Sequence, residues 1–413
     1  LEQILTEGKE VLGPPIMVKR NPKEILIMPY TSGTTGKPKG VMLSEETILD
    51  RVTAVTAELK ATSDERVLSY LTLGHISELI ATFFGQIRRG YAIYFTEYIE
   101  EMVEDREKFR RAFPKVLQQV QPTIFLAVPK VWMNFQREIQ KKTGGIAPSF
   151  LKQFQSGQKI LVKLVKKGFG FNDTRVFISA GAPIDQTVID FFKNLEIKIV
   201  DIYGQTETGG PILINGKRIG DVTAMMCIQK GEQEIVIQGK CLMLGYHNNP
   251  EATAKVLEDI NKTGNLIYHT GDAGVWGKRL SKGPGQGFTQ IIYAGRLNDK
   301  GKAPNGEYYS TPKLYELENE IKKVEGVEEV IICTEDRPYL AALVFYDTEN
   351  GPPYTKIFLH VQQCIDRVED GFHKIKKFRL IDKRELILTP TLKVKENAVI
   401  ERFKKLIDQM YES

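Results

Sequence analysis

The chain has 413 residues, 42% hydrophobic and 26% charged, which is enough to bury a full core and to fill more than one domain. Its 57 basic and 52 acidic residues leave a net charge of +5, too even a mixture for a dedicated nucleic-acid binder. No apolar run approaches the ~20 residues of a membrane-spanning helix, and Cys227, Cys241, Cys333 and Cys364 stand too far apart for a CxxC pair or a zinc-like spacing.

Reduced, structural thiols are therefore expected, the five scattered histidines add no ligand cluster, and a reducing, cytoplasmic setting follows. The chain opens on LEQILTEGKE, with no initiator methionine and no signal-peptide pattern. It is expected to be part of something longer, with any targeting information upstream.

Short β-branched runs alternate with amphipathic helical stretches, the pattern of an α/β fold. EILIMPY predicts a strand entering a loop dense in glycine, hydroxyl and lysine, TSGTTGKPKG (Thr31 to Gly40). SEETILDRVTAVTAELK predicts the helix leaving it, with Ser44 as its cap and Thr47 where a capping-box glutamate would sit. TIFLAVPKVW, TRVFISAGAP and IKIVDIYGQTE each run from a strand into a polar turn. Such turns gather at the carboxyl edge of an open sheet, where ligands bind. The basic stretch FLKQFQSGQKILVKLVKKGFGF (Phe150 to Phe171) has two readings, a solvated helix and a peripheral contact with an anionic membrane. From Gln233 the texture changes to alternating strands, QEIVIQGKCLMLGY and FTQIIYAGR, separated by a loop around GKRLSKGPGQGF. After Leu297, helix, strand, strand and helix signals (LYELENEIKKV, EEVIICTE, YLAALVFYD and YTKIFLHVQQCIDRVED) predict a small α+β domain. No repeat of solenoid period is present.

The glycine loop invites comparison with a Walker A phosphate loop, GxxxxGK followed by a hydroxyl. It departs twice: Thr31 stands where the first glycine belongs, and Pro38 where the magnesium-binding hydroxyl belongs. What remains is still a phosphate cradle, because glycines let backbone N–H groups approach an anion, hydroxyls donate to it and lysines offset its charge.

YTSGTTGKPKG resembles the signature of the AMP-binding, adenylate-forming enzymes, the acyl-CoA synthetases, luciferases and peptide-synthetase adenylation domains. The family order continues through SAGAP (Ser179 to Pro183), YGQTE (Tyr203 to Glu207), YHTGD (Tyr268 to Asp272), Gly295-Arg296, NGEY (Asn305 to Tyr308) and LTPTLKVK (Leu388 to Lys395). LSYLTLGHISE, VPKVW, YGQTETGG and GKCLMLGYHNNPEAT are most similar to long-chain fatty acyl-CoA synthetases, including the bubblegum type.

The resemblance implies an α/β large domain of layered sheets and helices over residues 1–296, a hinge at 297–299 and a small, mobile α+β domain over 300–413. It implies activation of a long-chain fatty acid by ATP with Mg2+, then transfer to coenzyme A. Thr31, Ser32, Gly33, Thr34, Thr35, Gly36 and Lys37 would steady the phosphates that leave. Tyr203 with Gly204 would receive adenine, Thr206 the α-phosphate and Glu207 magnesium, since a hard cation wants carboxylate oxygen and an aromatic face suits a purine. Gly181 and Ala182 would lie against the adenine edge, Asp272 would accept the ribose hydroxyls, and Arg296 would hold the ribose and phosphate side. Lys393 would reach from the small domain to bridge the fatty carboxylate and α-phosphate, as a compact charge on a flexible stem can, with Lys395 as the fallback.

His75, Val128 and Trp132 belong to apolar, aromatic stretches able to line an acyl tunnel or to form ordinary core. Gly306 and Glu307 fall in the segment that would dock coenzyme A. Two departures stand out: Asn298 replaces the usual Lys or Asp at the pivot, and the chain begins shortly before the phosphate loop, lacking the family's N-terminal part. The alternatives are an adenylate-forming ligase for an aryl or medium-chain acid and a noncatalytic nucleotide-binding protein. A scaffold would have no need to keep Lys37, Glu207, Asp272, Arg296 and Lys393 together.

Overall fold

The computed structural model describes residues 20–31, 38–96, 106–144, 155–229, 232–259, 264–279, 289–297, 309–334, 337–389 and 394–412. A seven-stranded sheet forms the centre of the first part of the chain. Its strands are β4 (Arg66–Ser69), β5 (Ala92–Phe95), β6 (Ile124–Ala127), β7 (Val176–Ala180), β8 (Ile199–Gln205), β9 (Gly210–Ile214) and β10 (Lys217–Arg218), in the order β10-β9-β8-β7-β6-β4-β5. The run from β5 to β8 is parallel, while β9 and β10 return antiparallel. Parallel strands need crossovers, and the helices Arg106–Val120, Pro129–Lys142, Gln155–Gly168 and Gln186–Lys193 lie between them in the chain. β6, IFLA, is buried at every position, as a strand covered on both faces must be.

A smaller sheet joins β1 (Ile25–Ile27), β2 (Tyr30–Thr31) and β3 (Lys39–Ser44) to β13 (Gly245–Tyr246). Tyr30 pairs with Gly40 and Thr31 with Lys39, so the two ends of the glycine-rich segment are hydrogen-bonded neighbours. The helix Glu45–Glu58 follows directly, with Ser44 Oγ accepting from the Thr47 N–H at 3.2 Å. Thr47, in the place of a capping glutamate, is buried, and its hydroxyl donates to Leu242 O at 3.0 Å.

The third sheet runs β11 (Val222–Gln229), β12 (Glu232–Gly239), β15 (Leu266–Arg279), β14 (Leu257–Asp259), with β16 (Thr289–Arg296) also paired to β15. One continuous apolar core, from Val41 to Ile291, underlies all three sheets. Separate cores lie in the last hundred residues, on the two faces of a sheet of β17 (Val327–Cys333), β18 (Leu340–Tyr346) and β19 (Ile375–Asp382). The period-2 rule sorts them: Val330, Ile332, Ala342 and Val344 face the helices Thr311–Lys322 and Tyr354–Asp366, while Ile331, Cys333, Leu343 and Phe345 face Glu396–Arg402 and Lys404–Glu412. The parallel strand β19 and the last two helices go beyond the helix, strand, strand, helix order expected from sequence. Among the described residues no helix is long and apolar enough to cross a membrane.

Candidate active site

Three chain segments meet at the carboxyl end of β8. The first is β8 itself with the 3-10 turn Thr206–Thr208 that follows it. Gly204 is required there, since a Cβ would stand 2.2 Å from Gly210 O where β8 and β9 shift register. The second is the stretch of β15 around Asp272, and the third is Arg296, the cross-strand register partner of Asp272 on β16.

Asp272 is 2% exposed and is the centre of the arrangement. Its Oδ2 accepts from Tyr203 Oη at 2.7 Å and from Gln205 Nε2 at 2.6 Å. Arg296 Nε stands 2.9 Å from Oδ1 as a charge partner, off the line of a hydrogen bond, with 44% of the Arg296 side chain open to solvent. Gln205 is held in turn by Tyr268, whose hydroxyl donates to Oε1, and by Thr270 O, which accepts from Nε2 at 3.1 Å. Burial pushes the Asp272 carboxyl up from its usual range, and Arg296, Tyr203 and Gln205 pull against it. Burial and then the Asp272 charge keep the Tyr203 phenol well above its usual value, so its hydroxyl stays a donor. The result is an aromatic ring, a buried carboxylate and a half-open guanidinium side by side, able to take a ring system, a pair of hydroxyls and an anion.

Glu207 lies on the turn beyond β8, and its Oε1 accepts from Tyr246 Oη at 2.9 Å. Tyr246 belongs to β13, which pairs with β3, and Lys39 Nζ lies 5.0 Å from the Tyr246 ring centre. The exit of the glycine-rich segment is thereby tied to the Glu207 carboxylate through a single side chain. One Glu207 oxygen is engaged by a neutral donor, and a carboxylate so oriented fits a hard divalent cation. Gly181 takes φ +88° at the end of β7, a conformation that favours glycine, with Ala182 following it into the turn.

The structure brings together Tyr203, Gly204, Thr206, Glu207, Asp272 and Arg296. It adds Gln205, Tyr246 and Tyr268, which sequence reasoning passed over although Gln205 and Tyr268 stand inside the YGQTE and YHTGD motifs. Thr31 is placed at the start of the glycine-rich segment; Ser32, Gly33, Thr34, Thr35, Gly36, Lys37, Gly306, Glu307 and Lys393 lie outside the described residues, as do Asn298 and Asp299 of the expected hinge. Leu297 is described and is packed with Ala273 and Ala294.

The three residues expected near an acyl group have these surroundings. His75 caps the short helix Ile76–Glu78, its Nδ1 accepting from the Ser77 N–H at 3.2 Å. Val128 is buried, and Trp132 is fully buried among Phe125, Phe135, Phe171, Phe177 and Phe192, with its indole N–H on Ile178 O at 3.2 Å. These contacts make Trp132 a core residue here, since its ring and its one donor are both satisfied. In the basic helix Gln155–Gly168, Val162 and Val165 are buried while Ile160 and Leu164 face outward.

The small C-terminal unit is fastened to the large one by a charge cluster. Glu328 on β17 is 5% exposed and meets both Lys130 and Arg137 of the helix Pro129–Lys142. Burial works against the Glu328 charge, but Lys130 and Arg137 outweigh it and hold the carboxyl below its usual range. Burial likewise draws the Lys130 ammonium down.

Comparison with known proteins agrees with this architecture. The chain is 25% identical to the long-chain-fatty-acid–CoA ligase ACSBG2 of Mus musculus over 96% of its own length and 68% of that protein. It is 28% identical to long chain acyl-CoA synthetase 4 of Arabidopsis thaliana over 99% of its own length and 67% of that protein. Among solved structures, the adenylation domain of the carboxylate reductase from Mycobacterium chelonae superposes with TM-score 0.75 at 20% identity, covering 100% of this chain and 64% of that one. ATP-bound MatB from Rhodopseudomonas palustris gives 0.66 at 21% identity, over 94% and 70%. The chain thus spans about two thirds of the length of these relatives. The AMP-binding enzyme family matches residues 2–247, more than half of the sequence, and the chain belongs to that family.

Proposed function

We propose that the protein converts a long-chain fatty acid and ATP to an acyl-adenylate and pyrophosphate, then transfers the acyl group to coenzyme A with release of AMP. The observation that carries this reading is the buried Asp272 carboxylate, ringed by Tyr203, Gln205 and Arg296, with Glu207 on the turn that follows Gln205. Similarity to long-chain-fatty-acid–CoA ligases over nearly the whole chain supports the acid and the thiol.

The chemistry explains why such residues are needed. A carboxylate oxygen bonds to the α-phosphorus as the bond to the bridging oxygen of pyrophosphate breaks, so the acid gains AMP as a leaving group. The thiol sulfur then bonds to the acyl carbon and AMP departs. Both steps crowd negative charge, and oriented donors and cations in a partly dry site lower that cost most effectively. Asp272 accepts the ribose hydroxyls by exchanging its present donors, Tyr203 offers its ring to adenine against Gly181 and Ala182, and Arg296 turns its exposed guanidinium to the phosphate side. Thr31, Ser32, Thr34, Thr35 and Lys37 hold the departing phosphates, with Thr206 at the α-phosphate. Mg2+ held by Glu207 supplies charge neutralisation when bound. Lys393 spans the fatty carboxylate and the α-phosphate during the first step only.

Lys393→Ala tests the division of labour. The variant is expected to lose fatty-acid-dependent pyrophosphate release by about 10²-fold or more while thioesterification of a supplied acyl-adenylate proceeds. Equal loss in both steps would reject the role. Long-chain, medium-chain and aryl acids assayed in parallel identify the substrate class.

A further inference from the structure

Cys227, Glu234 and His269 are 7 and 35 residues apart in the sequence, yet three strands of one sheet set them side by side. Cys227 and Glu234 are direct register partners across β11 and β12. On the other side of β12, Glu234 pairs with Ala273 and Val236 with His269, so four residues of β15 advance against two of β12. This bulge turns His269 toward Glu234, as bulges beside functional sites commonly re-aim a side chain. One thiol, one carboxylate oxygen and one imidazole nitrogen lie within 4.8 Å of one another, and among the described residues this is the one group of three or more such side chains.

We propose that these three side chains bind a borderline divalent cation, Zn2+ by preference, with water as the fourth ligand. The donor set selects the metal. Thiolate and imidazole suit zinc and disfavour magnesium and calcium, which want oxygen alone. Three protein ligands with an open position also fit zinc's four-coordinate habit.

The surroundings are built as a metal site requires. His269 Nδ1 faces Glu234 Oε2 at 2.9 Å, and Cys227 Sγ lies 3.7 Å from the same oxygen. The other ring nitrogen, Nε2, stands 3.1 Å from Glu258 Oε2 on β14. A carboxylate there accepts a hydrogen bond from Nε2–H, which fixes the proton on Nε2 and leaves the Nδ1 lone pair aimed at the metal, the outer support that zinc-binding histidines commonly have. The second oxygen of Glu234, Oε1, accepts the Gly271 N–H at 2.8 Å, which fixes the carboxylate from behind. Glu234 is 1% exposed, while Cys227 and His269 are half-buried, giving the ion a path from solvent.

The position has a consequence for the neighbouring site. The bulge holding His269 and Gly271 also carries Asp272, so a cation on Glu234 and His269 braces the segment that presents the Asp272 carboxylate. The metal acts as a structural clamp and touches no reacting atom. This inference stands apart from the choice of fatty acid or thiol.

The test uses the whole chain, stripped with a chelator and titrated with Zn2+ against a chromogenic competitor, then with Co2+. One equivalent of zinc is expected, with a thiolate-to-cobalt charge-transfer band in the cobalt form. Cys227→Ser should abolish the band, and Glu258→Gln should weaken zinc binding by about 10-fold or more through loss of the outer support. Absence of a cobalt–thiolate band, or zinc binding unchanged in both variants, would overturn the proposal. Should Cys227→Ser fail to fold, alkylation of the unaltered protein decides the matter by peptide mapping. Zinc should protect Cys227 and leave the half-buried Cys364 as reactive as before, and equal labelling of Cys227 with and without zinc would refute the site.

Discussion

Glu78→Gln gives a stability change whose sign and size follow from burial. Glu78 is 1% exposed at the end of the helix Ile76–Glu78, and its Oε1 accepts from Ser69 Oγ at 2.6 Å. Burial pushes its carboxyl from an ordinary 4.5 up to about 7, a rise that the Ser69 hydrogen bond partly offsets. Between those two values the folded chain holds a proton that the unfolded chain has released. Stability from this group is therefore complete below about pH 4.5 and is lost as pH rises toward 7. At about 1.4 kcal/mol per pH unit, the full loss is about 3 kcal/mol, of which about 2.5 kcal/mol falls between pH 5 and pH 8. Glutamine keeps the shape and does not titrate. Thermal unfolding of both proteins at the two pH values reads the difference directly. At roughly 2 °C per kcal/mol for a domain of this size, the Tm of the Gln variant relative to the unaltered protein should rise by about 5 °C from pH 5 to pH 8. A Tm difference that is the same at both pH values, or that shrinks as pH rises, would refute the reasoning.

Asp272→Asn should raise the KM for ATP by about 10- to 100-fold, the range for losing hydrogen bonds to a charged group, and titration with AMP separates this from a loss of fold. Glu328→Gln removes the charge that joins the two units. Lys130 and Arg137 are each partly open to solvent, at 27% and 40%, so the loss is about 2 kcal/mol rather than the larger cost of breaking a fully buried pair. If the small domain rotates between the two chemical steps, the ratio of adenylation to thioesterification rates should move by about 10-fold or more. An unchanged ratio would mean that this contact survives both steps.

Much of the fold was legible because it depends on local periodicity. The capped helix after Ser44, the strands ending at Ala127, Ala180 and Gln205, and the continuously apolar β18 all follow from apolar runs and cap chemistry. β19 was not legible, since its buried Ile375, Phe378 and Ile381 recur every third residue and imitate a helix face. β15 was hidden differently: its glycines at 271, 274 and 277 weaken the strand signal, yet they lie within a single strand of 14 residues. In the site, YGQTE and YHTGD carried Tyr203, Glu207 and Asp272, while Gln205 and Tyr268 matter only because the sheets bring one against the other. Tyr246 stands in the quoted stretch GKCLMLGYHNNPEAT, yet nothing local marks its role, which comes from β13 pairing beside β3. The Cys227, Glu234 and His269 cluster is the clearest case, because its chain spacing matches no metal motif and only strand register assembles it.

The most direct test of the central claim is fatty-acid-dependent pyrophosphate release from ATP, measured with and without coenzyme A. Palmitate-length acids should drive release, and adding coenzyme A should yield acyl-CoA and AMP in equal amounts. ATP binding with no release from any long-chain acid, or release with aryl acids alone, would contradict it.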